Sequence, residues 1–215
     1  MTEAHPVAAT FLKNALRKGA KLIVVDPRKH ELAGLADIHC QIKVGTDIAF
    51  LNGLMNVLIT EELYDKDFVQ NNCDNFEVFR TKILEYPLER ASAISGVDAE
   101  TIRQAAHMLA EIKPAMLCYT LGITEHTTGT DNVLSTANLQ LLLGNMGVPS
   151  GGVNPLRGQN NVQGACDMGA LPNVFPGYQK VIDESVRAKF AKAWGVKNLP
   201  DQNGLMMSQM MEGLV

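Results

Sequence analysis

The 215-residue sequence predicts an α/β fold, a parallel sheet with flanking helices. Three observations predict it. Helical periodicity gives way to a short apolar run over residues 6–25 and again over 99–119, each time in the order of a parallel α/β unit. Polar loops follow both apolar runs, at the strand ends where open α/β sheets bind ligands. Residues 151–172 concentrate amides, glycines and Arg157 with almost no apolar periodicity.

The first helix is read over 6–18. Ala8, Phe11, Leu12, Ala15 and Leu16 form one stripe, Pro6 suits the first turn and Gly19 can cap the end. Residues 21–25 are a short buried strand, and Asp26-Pro27-Arg28 follows. An acidic residue at a strand's carboxyl end is where such folds often hold ribose hydroxyls, but Asp26 also suits a plain turn with Pro27. There is no G-x-G-x-x-G. The opening helix has no strand before it, which reads as the middle of a larger protein.

Ile38, Cys40, Ile42 and Val44 alternate with polar residues as a half-buried or edge strand. Gly45-Thr46-Asp47 then opens a helix to about Ile59, with Thr46 or Asp47 as its cap. Free N–H groups and a carboxylate there would also grip a polar ring. Residues 61–88 are helical and polar-rich, without visible chemistry. Asp98 caps a helix over 99–112, and His107 lies off its apolar stripe as a solvated residue. Residues 115–119 are a strand, and 121–130 a polar loop. Asp131 is expected to cap the next helix, with Val133, Leu134, Ala137, Leu141 and Leu142 on its buried side. His126 could act as a base, but it is a lone loop histidine without an identified partner.

Within residues 151–172, Asn154, Gln159, Asn160, Asn161 and Gln163 each offer a donor and an acceptor. The glycines let backbone approach a ligand, and the planar fork of Arg157 suits a carboxylate or phosphate. The segment reads either as the wall of a ligand site or as a long surface loop. Beyond it lie a turn-rich connector, an amphipathic helix over 185–194 and a methionine-rich end over 205–211, read as a helix whose methionines are core filler facing a partner segment outside this chain rather than a binding box. The expected domains are 1–150, an α/β cofactor-binding part, 151–180, an active-site loop segment, and 181–215, a helical segment.

Composition narrows the function class. The net charge of −4 speaks against general nucleic-acid or membrane-surface binding, and no apolar run has the length of a membrane span. The start is unlike a signal peptide, so the reading is a cytoplasmic protein. Cys40, Cys73, Cys118 and Cys166 are scattered without C-x-x-C, which argues against a metal site built from this chain alone. Cys40 and Cys118 are read as reduced core residues.

The run Val153-Asn154-Pro155-Leu156-Arg157-Gly158-Gln159-Asn160-Asn161-Val162-Gln163-Gly164-Ala165-Cys166-Asp167-Met168-Gly169 strongly resembles the catalytic subunit of molybdenum- or tungsten-dependent formate dehydrogenases, in the bis-molybdopterin guanine dinucleotide oxidoreductase superfamily. Glu3-Ala4-His5-Pro6, Val25-Asp26-Pro27-Arg28, Gly45-Thr46-Asp47, Leu121-Gly122-Ile123-Thr124 and Leu142-Leu143-Gly144-Asn145 match in order, so the resemblance covers essentially the whole chain. It implies a Rossmann-like sheet, incomplete here, within a larger multidomain oxidoreductase. The implied activity is two-electron oxidation of formate to CO2, or the reverse.

By the same resemblance, Asp26 and Arg28 lie where the family holds a guanosine, and Gly45 and Asp47 where a carboxylate reads the guanine edge. Gly122 and Glu125 match a loop against a pterin, and Gln159 an amide near pterin or metal. Arg157 matches the arginine that orients formate. The family carries Gln where this chain has Glu125, an added negative charge. The metal's cysteine or selenocysteine ligand, the N-terminal 4Fe–4S cysteines and the C-terminal closing domain are expected outside this segment, so the chain alone is expected to be inactive. The implied partners are formate or CO2 and electron-transfer iron–sulfur or flavin subunits. Two other readings stay open: another molybdopterin oxidoreductase such as a nitrate reductase, and a non-catalytic nucleotide-binding or assembly module.

Overall fold

A computed structural model describes residues 1–213. The chain divides into two compact units, Met1–Leu156 and Arg157–Val215. The first holds α1 (Pro6–Arg17), β1 (Ile23–Val25), α2 (Glu31–Leu35), β2 (Ile38–Cys40), α3 (Asp47–Thr60), α4 (Lys66–Asn72), α5 (Phe76–Leu84), α6 (Leu88–Ser95) and α7 (Ala99–Glu111). It continues with β3 (Met116–Tyr119), α8 (Leu121–Thr124), α9 (Gly129–Leu142) and β4 (Gly152–Pro155).

The α/β class holds. β1 pairs with β2 and β3 with β4, both in parallel register, as two separate two-stranded sheets. The core is α3, apolar on every side and therefore buried rather than amphipathic. Phe50, Met55 and Leu58 are fully enclosed, with Ile102 of α7, Ala91 of α6 and Leu143 among the residues around them. Gly53 lets α6 come close, since a Cβ there would lie 2.5 Å from that of Ala91.

Helix ends follow the local chemistry. Gly19 ends α1 at φ +96°, a left-handed conformation that glycine adopts without cost. The Asp98 carboxylate accepts from the N–H groups of Glu100 and Thr101, as a helix cap should.

Several expectations need correction. The strand at 38–44 stops at Cys40, because its partner β1 ends at Val25 and the chain turns away through Pro27. Asp131 does not cap: α9 begins at Gly129, so Asp131 already lies within its first turn. Of the residues expected on the buried side of α9, Leu142 is buried, Val133, Ala137 and Leu141 are half-buried and Leu134 is exposed; Leu139 is buried too, beside a row of buried polar residues, Asn132, Thr136 and Gln140, at four-residue spacing. His107 is not simply solvated, since its Nε2 lies 2.6 Å from Glu61 Oε2. Cys40 is buried, and burial pushes its thiol up to about 12, but Cys118 is exposed on the open face of β3.

The second unit contains α10 (Val162–Asp167), β5 (Val174–Phe175), β6 (Gln179–Lys180), α11 (Glu184–Trp194) and α12 (Met207–Glu212). β5 and β6 form an antiparallel hairpin. Phe175, Val181 and Phe190 make its small core, with the rings of Phe175 and Phe190 stacked 5.0 Å apart. Asp183 caps α11 and Gly195 ends it in the left-handed region. Met206, Met207, Met210 and Met211 are exposed.

Candidate functional site

Asp26 stands at the carboxyl end of β1. Its Oδ1 accepts from the Arg28 N–H at 2.7 Å, which closes a tight turn through Pro27. The turn is tied to the neighbouring strand twice. His39 Nε2 lies 3.1 Å from Asp26 O, and Gln41 Nε2 donates to Pro27 O at 2.9 Å. His30 caps α2 by accepting the Leu32 N–H at Nδ1, which assigns the ring proton to Nε2, 3.5 Å from Asp26 Oδ2. The guanidinium of Arg28 is exposed, with Nε 4.0 Å from the same carboxylate. Asp26 and Arg28 are thus neighbours, Asp26 makes the turn with Pro27, and its side chain is 30 % exposed.

A second group forms where α3 begins. Gly45 has φ +81°, a backbone conformation that admits the sharp entry into the helix. Thr46 does not cap with its hydroxyl, which instead donates to Lys43 O at 2.6 Å. Asp47 lies in the first turn with its side chain 11 % exposed. Among the described residues no hydrogen bond reaches its carboxylate, and His126 Nε2 stands 3.9 Å from Oδ2. A nearly buried carboxylate whose acceptor capacity is unused is a site for ligand donors.

The loop after β3 comes to the same place. Gly122 lies in α8, and a Cβ on it would meet open space. The ring of His126 donates through Nε2 to Gly122 O at 2.8 Å. Asn132 Nδ2, from the buried face of α9, donates to Ile123 O at 2.8 Å. Glu125 is exposed at the end of this turn. The structure therefore joins Gly122 and Asp47 through His126, the residue that sequence reading set aside. The signal for it was present: His126 follows Gly122 by four residues, the spacing of one helical turn.

Deeper in the same unit, the amides of α9 and the residues after it bind the second parallel pair. Gln140 Nε2 donates to Ala115 O and Gly152 O, each at 3.0 Å, and Gln140 Oε1 accepts from Asn145 Nδ2 at 2.8 Å. The Ala115 N–H in turn donates to Asn145 Oδ1. Gln140 and Asn145 are buried, and a satisfied buried network of this kind fixes register.

In the second unit, Arg157, Gly158, Gln159 and Asn160 are exposed and precede α10. Asn161 enters α10 at φ +53°, and its amide folds over Gly164, where a Cβ would lie 2.5 Å away. Gln163 Nε2 donates to Asp167 Oδ1 at 2.9 Å and to the Tyr178 hydroxyl at 3.1 Å. The Asp167 carboxylate beside Tyr178 raises that hydroxyl above its ordinary pKa. Among the described residues no group of His, Cys, Asp and Glu is arranged to hold a metal ion.

The comparisons with known proteins agree with each other. Formate dehydrogenase H of Escherichia coli is 50 % identical over 97 % of this chain. The F420-dependent formate dehydrogenase subunit alpha of Methanocaldococcus jannaschii is 46 % identical over 98 %. The chain spans 29 % and 31 % of the lengths of these two relatives. Among solved structures, acetylene hydratase from Pelobacter acetylenicus matches 62 % of this chain with a TM-score of 0.61 and 40 % identity, over 18 % of its own length. The molybdopterin oxidoreductase family profile matches residues 1–213. With nearly the whole chain inside that profile, the protein belongs to the molybdopterin oxidoreductase family.

Proposed function

We propose that this chain is part of a formate dehydrogenase catalytic subunit, where it holds part of a bis-molybdopterin guanine dinucleotide carrying molybdenum or tungsten and presents Arg157 to formate. The observation that carries this reading is the 50 % identity to a formate dehydrogenase across 97 % of the chain. The fold alone does not select formate, since an acetylene hydratase shares it at 40 % identity. The further domain assignment is residues 1–150 for the cofactor, 151–180 for the active-site segment and 181–215 as a helical continuation.

The residues present fit the cofactor. Asp47 offers a carboxylate that accepts no hydrogen bond from the described residues, as a guanine N1–H and N2–H₂ edge requires. Gly45 opens the helix beneath it, and Gly122 presents backbone to open space where a flat ring system can pack. Asp26 and Arg28 offer an acceptor and a cation for a ribose and a phosphate. Glu125 and Gln159 are exposed polar side chains on the two loops assigned to the pterins.

When bound, the metal–pterin group supplies the two-electron redox chemistry. The chain's own part is binding and orientation. The guanidinium of Arg157 carries a permanent charge and a two-pronged donor set, so it holds a carboxylate in one plane at any physiological pH. Charge-assisted hydrogen bonds of that kind are worth about 1.5–3 kcal/mol. The cytoplasm, a 4Fe–4S cluster and an iron–sulfur or flavin subunit as electron partner complete the proposal.

The test is Arg157→Lys in the holoenzyme that carries this chain. Lysine keeps the charge and loses the fork, so formate kcat/KM is expected to fall about tenfold to a hundredfold at unchanged metal content. Unchanged formate kinetics would remove Arg157 from the substrate site.

A further inference from the structure

Three of the four carbonyls of the single helical turn at residues 121–124 accept hydrogen bonds. Leu121 O accepts from Glu125 N at 2.8 Å, Gly122 O from His126 Nε2 at 2.8 Å, and Ile123 O from Asn132 Nδ2 at 2.8 Å. Thr124 O lies against the Cα of Gly129, where any Cβ would collide with it. The last carbonyls of a helix normally turn to water. Here they are taken up by the turn's own histidine and by α9, whose Asn132 is only 2 % exposed. Asn132 is itself fixed, because its N–H donates to Thr128 O at 2.9 Å.

The histidine also faces the other side of the site. Its ring is 23 % exposed, and the nitrogen that holds Gly122 O stands 3.9 Å from Asp47 Oδ2. One ring is thus packed between the backbone of this turn and the carboxylate at the start of α3. A hydrogen-bonded spacer of this kind sets a distance without touching the ligand, as supporting residues do in preorganised sites.

We infer that His126, backed by Asn132 and Gly129, is a positioning residue that sets the spacing between the 121–124 turn and Asp47, and so governs retention of the guanine nucleotide end of the cofactor. The inference rests on the cofactor reading given above. It requires the N–H at His126 Nε2. A glutamine at the same place keeps a donor of similar reach, whereas alanine removes it.

The experiment compares holoenzymes carrying His126→Ala, His126→Gln and Asp47→Ala. After dialysis in mild urea, metal and guanine nucleotide per chain are measured, with hydrogen exchange at the Glu125 amide as a second readout. Asp47→Ala and His126→Ala are expected to lose cofactor about tenfold more readily than the parent, and His126→Gln to restore retention. Exchange at Glu125 is expected to quicken in His126→Ala and to return toward the parent rate in His126→Gln. Full retention in His126→Ala with loss in Asp47→Ala overturns the spacer and leaves the cofactor reading standing. Full retention in Asp47→Ala overturns the cofactor reading itself. Equal loss in His126→Ala and His126→Gln overturns the role given to the N–H.

Discussion

The two units treat their site residues in opposite ways. In Met1–Leu156, Asp47 is 9 % exposed on a helix that is itself the core, and the turn beside it is hydrogen-bonded at the carbonyls of Leu121, Gly122 and Ile123. In Arg157–Val215, Arg157 and Gln159 are exposed and lie outside regular secondary structure. In the first unit, packing and hydrogen bonds within the fold hold the residues proposed for the cofactor. The second carries its polar groups on the surface, next to a core of a few aromatic and aliphatic side chains. A large flat cofactor with many donors gains from a preformed cradle. A residue that must grip a small carboxylate needs reach and charge, and exposure supplies both.

The sharpest way to break this comparison is to hollow the core beneath Asp47. Leu58 is fully buried on the same helix, so Leu58→Ala removes packing and leaves a cavity. Losses of about 2–5 kcal/mol are usual for such a change. Urea unfolding of the protein should show a shift of that size. A shift below about 1 kcal/mol would mean that α3 is not the structural base of the site.

A smaller effect sharpens the comparison at the turn. In Gly129→Ala the new Cβ meets the backbone oxygen of Thr124, which cannot swing away as a side chain could. Overpacking of this kind costs about 1–3 kcal/mol. Because the strain falls on the clamped turn, cofactor content should drop along with stability. If stability falls while metal and nucleotide content stay full, the turn is not part of the cradle.

How much of this was legible in sequence depends on the range of the interactions. α3 was legible, because its apolar character and its opening at Gly45-Thr46-Asp47 are local. So was the Asp98 cap, whose partners lie two and three residues away. The polar face of α9 was not. Its apolar residues suggested a stripe of Val133, Leu134, Ala137, Leu141 and Leu142, yet of these only Leu142 is buried, and Asn132, Thr136 and Gln140 are buried beside Leu139. Gln140 has partners at Ala115 and Gly152, distant in sequence, and only their arrival makes burial of the amide affordable. His107 was misread for the same reason, since its carboxylate partner Glu61 lies 46 residues away. Cys118 looked like core because its strand is apolar, but β3 has a covered face and an open one, and Cys118 is on the open one. Arg157 was picked out by chemical type rather than by pattern, and its role came from resemblance.

The smallest expected change in stability belongs to the residue with the largest expected change in function. Arg157 is exposed and is not a member of the second unit's small hydrophobic core. Surface substitutions of this sort usually alter stability by less than about 0.5 kcal/mol. Arg157→Ala should therefore leave the urea midpoint nearly where it was, while formate turnover by the holoenzyme collapses further than in Arg157→Lys, because charge and fork are both gone. The pairing of the two measurements decides the matter. A large loss of stability would show that Arg157 belongs to the fold of its unit, and any fall in activity would then follow from damaged structure. A stable protein with full metal content and lost formate turnover would place the cost at substrate binding, which is where an exposed, permanently charged fork has its physical use.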